Sequence, residues 1–130
     1  MIGLDPSEVM VERTCTRCRR VRVEHLTKVE RAAAESIPLP DHSQDAVVIV
    51  NNIQLWSDRS VGLDGCSRVL VRGVVLVVLL HTWAMPDAVP KEDWVAELTA
   101  DLSTRGVIVE SLQIRRFRSG PALVLAGRLA

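Results

Sequence analysis

A chain of 130 residues, 48% hydrophobic and 25% charged, is long enough for one domain with its own core and too apolar to be disordered. Sixteen basic and sixteen acidic side chains cancel to a formal net charge of +0, which leaves no electrostatic footprint for nucleic acid. The longest apolar run, residues 74–80, is far too short to span a bilayer. The start, Met1-Ile2-Gly3-Leu4-Asp5-Pro6, lacks the basic-then-apolar order of a signal peptide, so no membrane partner is expected and the cytoplasm is the expected compartment.

In chain order, residues 1–4 read as a short strand running into Asp5-Pro6-Ser7. Proline near a helix start, Ser7 or Asp5 as cap and Glu8 in the first turn predict a helix over Glu8–Arg20. Its last turn is basic, as the helix dipole favours. Cys15 and Cys18 fall inside it. With Cys66 they make an odd set, so no disulfide framework is expected. One CxxC with only Cys66, His25 and His42 as further candidates falls short of four converging ligands, and no metal site is expected.

Residues 27–32 are a strand candidate. Residues 45–50, Asp45-Ala46-Val47-Val48-Ile49-Val50, are an apolar, β-branched run that stops in an amide-rich corner, Asn51-Asn52-Ile53-Gln54-Leu55-Trp56. Ser57-Asp58-Arg59 opens a helix ending near Leu70. An Arg72-Gly73 turn then leads into a second apolar run, residues 74–80. Two such runs joined by a helix describe a strand, helix, strand unit with parallel strands. Polar side chains at the carboxyl ends of parallel strands sit where open sheets bind ligands. His81-Thr82-Trp83 follows the second run, and His81 is the best titratable group there.

Residues 91–104 predict a helix with Trp94, Val95, Leu98 and Leu102 on one face and Gly106 as its stop signal. Residues 107–117 and 122–129, separated by Arg118-Ser119-Gly120-Pro121, read as an antiparallel hairpin.

Two stretches carry a resemblance. Ile37-Pro38-Leu39-Pro40-Asp41-His42-Ser43-Gln44-Asp45-Ala46-Val47 and Arg68-Val69-Leu70-Val71-Arg72-Gly73-Val74 resemble the second half of class I S-adenosylmethionine-dependent methyltransferases of the small-molecule kind called type 11. The resemblance implies an α/β fold: a truncated, Rossmann-like sheet, mostly parallel, with a C-terminal antiparallel hairpin, making one domain over residues 1–130. It implies S-adenosylmethionine as cofactor and a small molecule as methyl acceptor. Asp5 matches the acidic residue that accepts hydrogen bonds from the cofactor ribose, a task suited to a carboxylate; the other reading of Asp5 is a helix cap. Residues 33–38 match the loop beside the adenine. Ala33 stands where that loop has an acid, and Ala34 and Glu35 remain as cofactor candidates. Asn51 and Asn52 match the corner beside the methionine part of the cofactor. Gln54 and His81 are the catalytic candidates, and Trp56 and Trp83 the substrate-pocket candidates. Amides are not strong bases, so catalysis would consist of positioning an already activated methyl group.

The family's own first strand and glycine-rich loop find no match in these residues, which begin on the pattern of its second strand. That first strand lies inside the family's sheet, between the second and fourth strands. Its roughly ten backbone hydrogen bonds, at about 1 kcal/mol each, rival a domain's whole stability. The expectation is a sheet repaired by closing on itself, by a separate polypeptide or, the favoured reading, by a homodimer that uses the opened edge, since open edges aggregate. A lone chain is expected to bind cofactor weakly. The alternative function is a catalytically inactive relic that serves as a dimeric or partner-binding module.

Overall fold

The computed structural model describes residues 1–130. Six strands and three helices follow one another: β1 (Ile2–Asp5), α1 (Glu8–Arg20), β2 (Lys28–Arg31), β3 (Gln44–Val50), α2 (Arg59–Val69), β4 (Leu70–His81), α3 (Lys91–Ser103), β5 (Val107–Phe117) and β6 (Gly120–Leu129). No helix is long and apolar enough to cross a membrane.

The first two helices begin where short polar side chains can accept orphan backbone N–H groups. Ser7 Oγ accepts from the Met10 N–H at 3.3 Å, and Asp5 Oδ1 accepts from the Ser7 N–H at 2.8 Å. Ser7 is thus the cap of α1, and Asp5 braces the turn that leads into it. Asp58 caps α2 by accepting from the Val61 N–H at 3.1 Å. In α3, Trp94, Leu98 and Leu102 recur every four residues and are buried on one stripe, with Val95 packed beside them.

The strands form two sheets. β1 and β2 pair in parallel; β3, β4, β6 and β5 make a four-stranded sheet in that order. β3 and β4 are parallel, whereas β6 is antiparallel to both β4 and β5. The fold is the expected Rossmann-like α/β arrangement with an antiparallel C-terminal pair. The sheet has not closed on itself, because β1 does not pair with β3. Each therefore keeps one edge without a strand partner.

One face of the larger sheet carries Ile49, Leu76, Val78, Leu80, Leu123 and Leu125, all buried under α2 and α3. The register places Val48, Val77 and Ala126 in one row on the opposite face, where Val48, Val50 and Ile108 are exposed. α1 has no buried residue.

Two local expectations are corrected. Arg72 and Gly73 do not form a turn between helix and strand: β4 already starts at Leu70, and a register shift lets the strand bulge at these residues. Gly73 supplies the left-handed backbone there, with φ +80 and no heavy atom near a would-be Cβ. The hairpin loop is shorter than residues 118–121, since Phe117 pairs with Gly120 and only Arg118 and Ser119 lie between the strands. Gly120, with φ +114, makes the tight reversal possible.

Candidate functional site

Parallel pairing sets the carboxyl ends of neighbouring strands side by side. Asp5 at the end of β1 is level with Arg31 of β2, and Val50 at the end of β3 is level with Leu79 of β4. The short helical turn Ala34–Ser36 after β2 docks on α2. Its contact is close: a Cβ on Gly65 would lie 3.2 Å from the Ala34 carbonyl oxygen. The Glu35 carboxylate accepts the Asp58 N–H at 3.0 Å, tying the end of β2 to the start of α2. That bond, with further backbone donors at Glu35 itself and at Ser57, holds the Glu35 carboxyl below its usual range.

Beyond Val50 the backbone of Asn51 turns left-handed, with φ +50, a conformation that asparagine tolerates better than most residues. The turn keeps the Asn51 N–H on the Leu79 carbonyl at 2.9 Å while its side chain reaches across to β4. There Oδ1 accepts the His81 backbone N–H at 2.9 Å, and Nδ2 lies 2.9 Å from His81 Nδ1. On the far side of the ring, His81 Nε2 is 2.7 Å from Ser119 Oγ. His81 itself is buried, 7% exposed. Trp83 stacks on it with ring centroids 5.5 Å apart, and Phe117 lies tilted at 6.1 Å.

The same corner holds buried acceptors that lack donors. Asn52 Oδ1 and Gln54 Oε1 are both buried without a hydrogen bond, although Gln54 Nε2 donates to the Asn51 carbonyl at 3.0 Å. An unpaired buried acceptor costs about 1–3 kcal/mol, so two of them within three residues at the end of β3 suit a ligand's N–H or O–H groups.

The structure thus brings Asn51, Asn52, Gln54, His81 and Trp83 to the ends of β3 and β4. Ala34 and Glu35 stand after β2, and Asp5 at the end of β1. Trp56 points elsewhere: its ring lies flat on Gly62 of α2, so close that a Cβ on that glycine would fall 2.4 Å from Trp56 Cε3. It packs against the core and fastens the turn Ile53–Leu55 to the helix.

Three further residues matter here. Phe117 ends β5 and Ser119 lies in the β5–β6 turn, and both reach His81 because β6 lies directly beside β4, with His81 level with Ala122. Arg68 gathers the preceding loop, donating to the Ile37 carbonyl at 2.9 Å, the Leu39 carbonyl at 2.8 Å and Asp41 at 2.6 Å. The two stretches that carry the sequence resemblance are therefore bonded to each other.

Comparison with known proteins agrees with this arrangement. A protein from Bacillus subtilis described as the uncharacterized methyltransferase YdaC is 32% identical over 71 residues, 55% of this chain and 37% of its own length. The chain thus spans little more than a third of that relative. Among solved structures, the [4+2]-cyclase SpnF superposes with a TM-score of 0.79 at 15% identity, covering 98% of this chain and 65% of its own. A SAM-dependent methyltransferase from Aquifex aeolicus gives 0.76 at 17% identity, covering 99% of this chain and 68% of its own. These likenesses show the fold. A profile described as Methyltransferase domain matches residues 1–78, and on that match the chain belongs to the methyltransferase domain family.

Proposed function

We propose that the chain binds S-adenosylmethionine across the carboxyl ends of β1 to β4 and passes its methyl group to a small-molecule acceptor, as part of an assembly that covers the two open strand edges. The observation that carries this reading is the pair of buried, donorless oxygens, Asn52 Oδ1 and Gln54 Oε1, at the end of β3. The cofactor is rich in donors: an ammonium group, two ribose hydroxyls and an adenine amine. The atoms left free here, the Asn52 and Gln54 amide oxygens and one Asp5 carboxylate oxygen, are acceptors and fit those donors.

Asp5 has one carboxylate oxygen on the Ser7 N–H and the other free for ribose hydroxyls. Ala34 and Glu35 border the adenine side, and Glu35 contributes by fixing its loop to α2. Asn51 and Asn52 take the methionine side. Gln54 and His81 face the acceptor, beside the exposed ring of Trp83; Trp56 supports this corner from beneath. When bound, the cofactor supplies a sulfonium methyl that needs no further activation. What the chain adds is placement and exclusion of water around the acceptor atom.

A second copy of the chain is the partner we favour for the open edges. β3 offers seven residues of edge backbone, and Val48 and Val50 beside it are exposed apolar side chains that a neighbour would cover. The compartment in this reading is the cytoplasm. Light scattering should find a dimer at micromolar concentration, and a monomer would overturn the dimeric assembly. Calorimetry with S-adenosylhomocysteine tests the site. Micromolar binding that disappears in Asp5→Ala supports it, whereas absence of heat leaves a binding module without cofactor.

A further inference from the structure

The side chains around His81 say what kind of acceptor molecule this site would take. Asn51 Oδ1 takes the His81 backbone N–H at 2.9 Å and lies 3.1 Å from Nδ1, while the amide nitrogen comes closer to Nδ1, at 2.9 Å. An amide nitrogen only donates, so in the shorter of the two ring contacts Nδ1 accepts, and a neutral imidazole accepting there carries its proton on Nε2. His81 is in that case a donor toward Ser119 Oγ at 2.7 Å and toward anything that replaces it. It is not set up as a base.

Ser119 sits on an exposed two-residue turn, the kind of position that gives way most easily to a ligand. Arg118 is the turn's other residue and Arg115 and Arg116 precede it on β5; Arg115 Nε donates to Gln113 Oε1 at 3.3 Å, and no carboxylate lies within 4.0 Å of any of the three. Arg115 is level with Ala122, which is level with His81, so the guanidinium and the imidazole rise from the same face. Trp83, 69% exposed, and Phe117 add flat apolar surface around the ring.

A hydrogen-bond donor, the Arg115 cation without a carboxylate partner on the same face, the adjoining turn cation Arg118 and aromatic faces select one chemistry. We infer that the acceptor substrate is a planar, anionic molecule whose carboxylate or similar oxygen takes the His81 Nε2–H in place of Ser119, with its ring against Trp83 and its charge facing the hairpin arginines. His81 then orients the substrate by donating, and Asn51 is a positioning residue that sets which nitrogen of the ring donates. This inference rests on the strand-end site proposed above, but its test does not require the cofactor.

The experiment uses nitrogen-15 NMR of the imidazole with benzoate and benzylamine as probes, on the full chain alone and with S-adenosylhomocysteine. The expected ring carries its proton on Nε2, and Asn51→Asp, which offers Nδ1 an acceptor instead of a donor, moves the proton to Nδ1. Benzoate shifts the His81 and Trp83 ring signals and benzylamine does not. Benzoate binding falls about tenfold in His81→Leu and in the exposed variants Arg115→Glu and Arg118→Glu, and is largely kept in His81→Gln, which retains a donor. An Nδ1–H ring in the unmodified chain, equal response to benzylamine, or benzoate binding indifferent to these substitutions would overturn the inference. Cofactor binding together with no response to benzoate would overturn it too, while leaving the cofactor reading in place.

Discussion

Asn51 and His81, thirty residues apart in the chain, are joined by three contacts, one of 2.9 Å to the histidine backbone and two of 2.9 and 3.1 Å to its ring. The contacts exist because β3 and β4 run parallel and end together, and because Asn51 takes a left-handed backbone with φ +50 that swings its amide over the end of β4. One side chain thereby closes the strand ends and orients the group at the centre of the site.

Replacing Asn51 should separate these two roles. Asn51→Ala leaves the His81 N–H without its acceptor and places a poorly suited residue at positive φ, costing about 2–4 kcal/mol. Asn51→Gly relieves the backbone strain and should recover about 1 kcal/mol of that loss. Urea denaturation midpoints of the two variants measure the difference, and equal midpoints would show that the backbone carries no strain.

Gly62 is required by contact rather than by conformation. Any Cβ there collides with the Trp56 ring at 2.4 Å, and the ring would have to shift from its packing against the core. Gly62→Ala should destabilise the fold by about 1–3 kcal/mol despite its gain in helix propensity. Trp56 fluorescence should change in the same variant.

Glu35 gives the chain an acid-dependent element. Its folded carboxyl titrates below the ordinary value of 4.5 because backbone donors, chiefly the Asp58 N–H, prefer the charged form. A depressed folded value contributes stability that is present above the unfolded value and lost as pH falls through the folded one. Unfolding midpoints of Glu35→Gln should therefore lie below those of the unmodified chain at neutral pH, and the two should converge below pH 4.5. A gap that persists unchanged in acid would contradict the role.

The three cysteines should divide two against one. Cys66 is buried in the core, and that burial pushes its thiol up to about 12. Cys15 and Cys18 lie on α1, which buries no residue. A thiol reagent at mildly alkaline pH should label two positions quickly in the native chain and the third only on unfolding. Fast labelling of all three would mean that α2 does not hold its place against the sheet.

Much of this fold could be read from the residues because the signals are local. Ser7 and Asp58 mark helix starts, and the spacing of Trp94, Leu98 and Leu102 shows which face of α3 is buried. The β-branched runs around Val48 and Val77 announce parallel strands. The amide corner at residues 51–56 and His81 stand out as polar groups at strand ends, and the structure brings Asn51, Gln54 and His81 together. What was not legible depends on contacts distant in sequence. Nothing local says that β6 inserts between β4 and β5, and that insertion is what carries Ser119 and Phe117 to His81. The direction of the Trp56 ring was hidden for the same reason, since it depends on the absence of a side chain at Gly62. At Gly73 the sequence marks a change of direction before the second apolar run, but the bulge that uses its positive φ needs the β3 register to be seen.

The most direct test of the central claim follows the side-chain amides of Asn51, Asn52 and Gln54 by nitrogen-15 NMR while S-adenosylhomocysteine is added. The donorless oxygens at the end of β3 should gain partners, so these amide signals and the backbone of residues 51–56 should shift together and saturate. Signals from α3 should stay in place. Amides that do not respond at saturating ligand, or a response confined to the surface of α1, would contradict a cofactor seated at the strand ends.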